Sequence, residues 1–221
     1  ISGGKLDGSI KLNFDDNFQL EDYQLTGSLK KTNINLYNRI KIENSSFNFA
    51  ADKDVVLINS ISFNLYGIPV TNGTIQISKK NKFVIEGNLN TEINSDKDKL
   101  KKLFELFPNI EFLNNKIKLK GNFLNEFKII LNQTLKLENY SYNLIGSFKD
   151  SQIILNKEIK TSLLKNDIKK IFLKNSNVKI NFIKNKKTTI FLDGIYKIRE
   201  KSEFQKFKID NTFDKSKAIY I

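Results

Sequence analysis

The sequence contains no cysteine, no histidine and no methionine among its 221 residues. Without cysteine there can be no disulfide, thiolate metal site or thiol nucleophile. Without histidine the commonest general base and the commonest metal ligand are missing. We therefore expect a protein that is not an enzyme and that holds no metal ion or other cofactor.

The absence of methionine also means that the sequence lacks its own initiator. We therefore expect a segment of a longer protein, or a processed product, whose targeting or anchoring elements lie elsewhere. No run approaches the ~18 apolar residues that a membrane helix needs. The opening residues, Ile1-Ser2-Gly3-Gly4-Lys5, do not have the form of a signal peptide.

Arginine is almost absent, although the net charge is +13. Arg39 and Arg199 are the two arginines, and the other basic residues are lysines. Proteins that bind phosphates or bases favour arginine for its planar guanidinium group, often with aromatic side chains between the arginines. We therefore expect no nucleic-acid partner and attribute the lysine excess to an AT-rich coding bias. A lysine-rich exterior would also suit an anionic lipid surface.

What the sequence does contain is a recurring phrase: an apolar residue, any residue, glycine, any residue, and a second apolar residue. In one copy, proline takes the last place. The copies are Leu6-Asp7-Gly8-Ser9-Ile10, Leu25-Thr26-Gly27-Ser28-Leu29, Leu65-Tyr66-Gly67-Ile68-Pro69, Ile85-Glu86-Gly87-Asn88-Leu89, Leu119-Lys120-Gly121-Asn122-Phe123, Leu144-Ile145-Gly146-Ser147-Phe148 and Leu192-Asp193-Gly194-Ile195-Tyr196. Since strand side chains alternate between faces, each glycine is expected in the middle of an apolar face.

Alternating apolar and polar residues recur along most of the chain, in strands of five to seven residues separated by polar turns. Such spacing predicts an antiparallel meander, because the connections are too short for the helical crossovers of a parallel sheet. Polar stretches of two to four residues mark the expected turns at 15–17, 30–33, 52–54, 79–82, 149–150 and 184–187. The phrase intervals suggest a unit that repeats every second strand.

One segment, residues 94–108, has helical periodicity instead. Ser95 and Asp98 form a capping box, and Pro108 ends the segment. Between them lies a helical stripe at i, i+3, i+4 and i+7: Leu100, Leu103, Phe104 and Phe107. We expect this amphipathic helix to lie on the sheet, with a membrane surface or a partner protein as the alternative receiver.

The whole sequence, 1–221, is therefore interpreted as a single segment of a larger repeating β-groove protein. Its predicted subdivisions are a first β-meander at 1–93, a helical insertion at 94–108, a second β-meander at 109–156, a second helix at 157–174, a closing hairpin at 175–198 and a connecting tail at 199–221. The predicted fold class is mainly β: a long, curled antiparallel meander, open as a groove or folded like a taco, with one or two amphipathic helices.

Glycine in the middle of an apolar face allows two architectures. In a closed sandwich, two sheets bury their apolar faces against each other and the glycines are bulges or corners. In a single curled sheet, glycine relieves crowding on the concave face and the apolar trough binds acyl chains. We favour the trough. Its predicted lining is Leu6, Gly8, Ile10, Leu25, Gly27, Leu29, Phe63, Leu65, Gly67, Ile85, Gly87, Leu89, Leu119, Gly121, Phe123, Leu144, Gly146, Phe148, Leu192 and Gly194.

The phrase pattern, the short strands and stretches such as Phe47-Asn48-Phe49-Ala50-Ala51-Asp52-Lys53-Asp54, followed by Ile61-Ser62-Phe63-Asn64-Leu65-Tyr66-Gly67-Ile68-Pro69, resemble AsmA-like proteins of the Gram-negative envelope. The resemblance covers residues 6–155 and, more loosely, the last hairpin. These proteins are similar in architecture to repeating β-groove, bridge-like lipid-transfer proteins.

The resemblance implies a periplasmic body anchored in the inner membrane by a segment outside this sequence. It further implies that phospholipid or another acyl lipid is conducted along the groove towards the outer membrane, with outer-membrane proteins as further candidate partners. It supplies no catalytic residues. The alternative function is a non-catalytic structural or adhesive β-domain that binds another protein.

Overall fold

Eleven β-strands form one sheet in the computed structural model, which describes residues 2–36, 40–95, 115–160 and 167–213. In chain order they are β1 (Lys5–Phe14), β2 (Leu20–Leu36), β3 (Ile40–Ala51), β4 (Val55–Leu65), β5 (Ile68–Lys79), β6 (Phe83–Ser95), β7 (Lys116–Leu131), β8 (Leu137–Ile159), β9 (Ile168–Ile183), β10 (Thr188–Lys197) and β11 (Gln205–Phe213).

Every strand pairs antiparallel with its neighbours in sequence, so the sheet order is the chain order. The prediction of a mainly β, antiparallel meander is confirmed. β1 pairs with β2 and β11 pairs with β10, which leaves these two strands as the edges of an open sheet. The described residues form one sheet, and the two-sheet sandwich is therefore not their architecture.

Side-chain hydrogen bonds define the turn between β3 and β4. One carboxylate oxygen of Asp52 accepts the backbone N–H groups of Val55 at 2.7 Å and Asp54 at 2.8 Å. Lys79 Nζ donates to the Asp52 carbonyl oxygen at 2.7 Å. The backbone hydrogen bonds, with a smaller contribution from the charge of Lys79, hold the pKa of the Asp52 carboxyl below its usual value. The polar turn predicted at 52–54 is confirmed.

The strands are longer than the five to seven residues expected, ranging from 9 residues in β11 to 23 in β8. Residues with left-handed backbone conformation interrupt four of them and shift the register: Lys31, Asn44, Ser60 and Asn175, with φ from 47° to 55°. A bulge adds one residue without ending the strand. The turns expected at 30–33 and 149–150 are therefore wrong, because β2 and β8 continue through them.

The two predicted helices, at 94–108 and 157–174, have different outcomes. Ser95 is the last residue of β6, and the expected helix from residue 96 onward lies outside the described residues. The second predicted helix is wrong at both ends. Residues 157–159 belong to β8, and 168–174 belong to β9, which is paired with β8 on one side and β10 on the other. Pairing with β8, joined from Phe172 onward by pairing with β10, outweighs the local helical spacing of Ile168, Ile171 and Phe172.

The predicted end of the fold also needs correction. The hairpin of β9 and β10 does not close the sheet, because β11 adds a further strand where a connecting tail was expected. The alternation of apolar and polar residues is weak in β11. Two polar residues, Gln205 and Asn211, share a face there with Phe207 and Ile209. Polar residues on the inward positions of an edge strand hide the period-two pattern.

The register divides the sheet into two faces, because directly paired residues of an antiparallel sheet share a side. We call the side that contains Gly8, Gly27 and Phe49 the apolar face, and the opposite side the polar face. All well-buried side chains lie on the apolar face: Thr32, Ser45, Ile61, Ile68, Val70, Ile117, Phe123, Ser151, Ile153, Ser176 and Val178.

Candidate functional site

The candidate site is the apolar face, and the register brings nearly all of the predicted lining residues together on it. The directly paired residues identify the same side of the sheet on each strand from β1 to β10. The residues placed there are Leu6, Gly8, Ile10, Leu25, Gly27, Leu29, Phe63, Leu65, Ile85, Gly87, Leu89, Leu119, Gly121, Phe123, Leu144, Gly146, Phe148, Leu192 and Gly194. The predicted helix stripe, Leu100, Leu103, Phe104 and Phe107, lies outside the described residues.

Gly67 is the exception, and its predicted position in a strand is wrong. It occupies the two-residue turn between β4 and β5, where Leu65 pairs with Ile68. Tyr66 and Gly67 both have positive φ, 52° and 81°. This is the backbone of a primed hairpin turn, whose twist matches that of the flanking strands. The phrase around Gly67 thus resembles the others in sequence but has a different structural cause.

Five of the other six phrase glycines are paired with phenylalanines on neighbouring strands, and Gly8 is paired with Gly27. The directly opposed pairs are Gly27 with Phe49, Gly87 with Phe127, Gly121 with Phe148, Gly146 with Phe123 and Gly194 with Phe207. A Cβ atom at Gly27 would lie 2.6 Å from Phe49 Cζ, and one at Gly121 would lie 2.9 Å from Phe123 Cζ. The opposed rings therefore lie in the space that the missing side chains leave at Gly27, Gly87 and Gly146, as in the aromatic rescue of strand glycines. At Gly121 the nearby ring is that of Phe123 on the same strand, and the atoms nearest to a Cβ at Gly194 belong to Ser176.

This pairing corrects the expected repeat. The glycines do not mark every second strand, because Gly8 and Gly27 oppose each other on β1 and β2, and Gly121 and Gly146 lie on the adjacent strands β7 and β8.

The apolar face is most exposed along β1. The exposed fractions are 66% for Leu6, 61% for Ile10, 45% for Leu12 and 54% for Phe14. Contiguous exposed apolar side chains of this size mark a binding surface more often than isolated ones do. The exposed row along β1 is therefore the candidate binding surface of the apolar face.

The apolar face also contains a polar cluster that the sequence pattern did not predict. Tyr142 donates its hydroxyl hydrogen to Asn125 Oδ1 at 2.7 Å. Asn125 Nδ2 in turn donates to the Leu89 carbonyl at 3.0 Å and to Thr91 Oγ1 at 3.1 Å. Burial raises the pKa of the Tyr142 hydroxyl. Asn125 occupies an apolar position in the alternation of β7, which is the signal that could have identified it.

The polar face carries a second feature that only the register reveals. A row of polar residues crosses five strands by direct pairing: Thr74, Asn88, Glu126, Asn143 and Asn181. They line a depression of about 450 Å³, beside the ion pair of Lys128 with Glu86 at 2.7 Å. Within it Asn143 Nδ2 donates to Glu126 at 2.6 Å, and the buried Asn143 Oδ1 atom has no hydrogen-bond partner among the described residues.

Neither face brings together a metal-binding group in the described part of the chain, since no cluster of three or more histidine, cysteine, aspartate or glutamate residues occurs there. Among the same residues, no helix is long and apolar enough to cross a membrane.

Comparisons with protein-family models, with curated proteins and with solved structures found no match to this chain.

Proposed function

We propose that the apolar face binds the acyl chains of phospholipids and conducts them along the sheet. The observation that carries the proposal is the continuity of this face across all eleven strands, together with its exposure along β1. The chemistry is non-catalytic, and the protein needs no cofactor for it.

The energetics favour a flexible apolar ligand. Transfer of an acyl chain from water to an apolar surface contributes about 0.8 kcal/mol for each CH₂ group buried. At the same time the ligand covers side chains such as Leu6 and Ile10, whose exposure to water is unfavourable. The lipid therefore covers apolar side chains of β1 that no other described residue buries.

A contact between distant strands supports a curled, trough-like sheet. Lys79 on β5 and Tyr23 on β2 both lie on the apolar face, and Lys79 Nζ donates to Tyr23 Oη at 3.3 Å. Two strands, β3 and β4, lie between them in the sheet. A side-chain contact over that span is favoured when the strands bend towards the apolar side.

The wider setting follows from the resemblance to AsmA-like envelope proteins. We propose a periplasmic location, an inner-membrane anchor outside this segment and transport of phospholipid between the inner and outer membranes. The net charge of +13 favours contact with anionic head groups at either membrane.

The test is native mass spectrometry of the purified protein, combined with extraction and quantification of bound phospholipid. Leu119→Asp places a charge on the apolar face, whereas Leu124→Asp places the same charge on the polar face of the same strand; both leucines are half-buried. We expect lipid in the wild type and in Leu124→Asp, and its loss in Leu119→Asp. Circular dichroism checks that both variants keep their strand content.

A wild-type protein that is folded, free of lipid and unable to take up fluorescent phospholipid from vesicles overturns the proposal. Equal lipid loss in the two variants, with strand content intact, contradicts the assignment to the apolar face.

A further inference from the structure

Two turns of the sheet, the one between β1 and β2 and the one between β7 and β8, are built alike. Because neighbouring strands are antiparallel, both turns lie at the same end of the sheet. Their sequences share one pattern: an apolar residue, Asp or Asn, two polar residues, an apolar residue, a polar residue and an apolar residue. The two copies are Phe14-Asp15-Asp16-Asn17-Phe18-Gln19-Leu20 and Leu131-Asn132-Gln133-Thr134-Leu135-Lys136-Leu137.

Asp15 organises the first turn. Its Oδ1 atom accepts the backbone N–H groups of Asn17 at 2.9 Å and Gln19 at 2.8 Å. The Phe18 N–H donates to the Asp15 carbonyl at 3.0 Å, and the Asp15 N–H donates to the Gln19 carbonyl at 2.9 Å. These bonds close a three-residue hairpin loop, whose last residue is left-handed in proteins of this kind. Here that residue is Phe18, with a φ of 59°.

Asn132 takes the same role in the second turn. Its Oδ1 atom accepts the backbone N–H groups of Thr134 at 3.0 Å and Lys136 at 2.9 Å. The Leu135 N–H donates to the Asn132 carbonyl at 2.9 Å, and the φ of Leu135 is also 59°. The two turns therefore have the same conformation, and Leu135 is the counterpart of Phe18.

Phe18 and Leu135 occupy the position at which such a loop normally has glycine or asparagine. A large apolar residue is unfavourable there, because its Cβ crowds the backbone in the left-handed region. The turn between β9 and β10, at the same end, has Asn185 with a φ of 61°. Two turns thus carry the same unfavourable choice, which indicates that the apolar side chains are themselves used.

The apolar residues of the two turns are exposed in the described part of the chain: Phe18 by 88%, Leu20 by 53%, Leu135 by 63% and Leu137 by 50%. We call Phe18 with Leu20 the first apolar tip, and Leu135 with Leu137 the second. The undescribed connections between strands, at 37–39, 96–114 and 161–166, join their strands at the opposite end of the sheet.

We propose that the two apolar tips insert into the interfacial layer of a phospholipid bilayer and dock this end of the sheet on a membrane surface. Six strand spacings separate the tips, about 29 Å along the sheet, and yet their chemistry is the same. A bilayer offers the same apolar layer at both places, whereas a single protein pocket does not. Insertion removes the tips from water and requires no change in the turns.

Lysines at this end of the sheet favour a bilayer with anionic lipid. The turn between β5 and β6 carries the exposed Lys80, and the turn between β9 and β10 carries the exposed Lys186 and Lys187. These turns flank the second tip. Each lysine close to an anionic lipid surface contributes to binding. The first tip has Asp15 and Asp16 beside it, so anionic lipid should act mainly at the second tip.

Asparagine substitutions separate the role of the side chains from that of the turns. Phe18→Asn and Leu135→Asn remove the apolar groups and introduce a residue that tolerates the left-handed region, so both turns should stay intact. Binding is measured by co-sedimentation with vesicles of phosphatidylcholine and phosphatidylglycerol. Each single variant should weaken binding about tenfold, and the double variant should bind more weakly still. The control is Ile145→Asn, which replaces an exposed apolar residue on the polar face and should bind like the wild type.

Fluorescence gives an independent measurement, because the sequence contains no tryptophan. The emission of Phe18→Trp and of Leu135→Trp should shift to shorter wavelength when vesicles are added. Lipids brominated on their acyl chains should quench it. Ile145→Trp should show neither effect. If the emission at residues 18 and 135 is already shifted without vesicles, another part of the protein covers the tips and the proposal is wrong.

A folded wild-type protein that does not sediment with vesicles of either composition, with or without phosphatidylglycerol, overturns the proposal. Full binding by the double asparagine variant overturns it as well. Docking through the tips does not depend on acyl-chain binding by the apolar face. The double asparagine variant should therefore keep its bound phospholipid, and Leu119→Asp should still sediment with vesicles.

Discussion

The ring of Phe127 lies against Gly87 on the neighbouring strand. A Cβ atom at Gly87 would be 2.5 Å from Phe127 Cζ and 2.8 Å from Cε1. The two residues are directly paired between β6 and β7, in the interior of the sheet. The glycine therefore has a steric cause in the structure: it leaves the space that the ring fills.

Gly87→Ala should destabilise the protein because the ring has to move or the strands have to separate. Overpacking of this kind costs about 1–3 kcal/mol. Urea denaturation followed by circular dichroism measures the loss. Gly8→Ala on the edge strand is the milder comparison, because the nearest atom to its Cβ, the Thr26 carbonyl oxygen, is 3.2 Å away.

A double-mutant cycle isolates the contact between the two side chains. In a Phe127→Ala background the added methyl group at residue 87 no longer meets a ring, so Gly87→Ala should cost less there. If Gly87→Ala is equally destabilising in both backgrounds, the ring is not the cause of the glycine.

Tyr142→Phe removes the hydroxyl donor to Asn125 and leaves Asn125 Oδ1 without that bond on the apolar face. An unsatisfied polar group of this kind costs about 1–3 kcal/mol. Urea denaturation at neutral pH measures the loss. Replacing both residues, as Tyr142→Phe with Asn125→Leu, removes donor and acceptor together and should recover part of the stability.

The same residue makes the stability depend on alkaline pH. The pKa of the Tyr142 hydroxyl is raised above its ordinary value of 10.0 in the folded state. Its contribution is therefore complete below the unfolded pKa and is lost as the pH rises through the folded pKa. The stability advantage of the wild type over Tyr142→Phe should shrink above pH 10. An advantage that is constant into strongly alkaline solution contradicts this assignment.

Gly67→Ala should also be destabilising, but for a backbone reason. No atom of the residues that the structure describes lies within 4 Å of its Cβ position, while its φ is +81°. An alanine in the left-handed region costs roughly 1–2 kcal/mol, and asparagine tolerates that region better. Thermal unfolding should rank the wild type above Gly67→Asn and Gly67→Asn above Gly67→Ala. Equal losses for the two variants argue against a left-handed requirement at this position.

Local pattern predicted much of the fold in this chain. The alternation in segments such as β1 and the polar residues at 52–54 identified strands and turns, because both depend on neighbours within a few positions. The period-two alternation also predicted which side chains share the apolar face, because it alone decides which residues of a strand point to the same side. It failed at 30–33, where a polar stretch is a bulge, and at Gly67, where the strand phrase is a turn.

The sequence by itself determined a mainly β, antiparallel chain with an apolar side, because these properties follow from alternation and short connections. Only the tertiary structure decided which residues oppose one another: Phe127 with Gly87, Asn143 with Glu126, Ile171 with Ile153. Register depends on bulges and on pairing between residues far apart in sequence, which no local window contains. The alternation alone predicts that the phrase glycines lie on the apolar face, whereas the phenylalanines opposite five of them are identified only by the strand pairing.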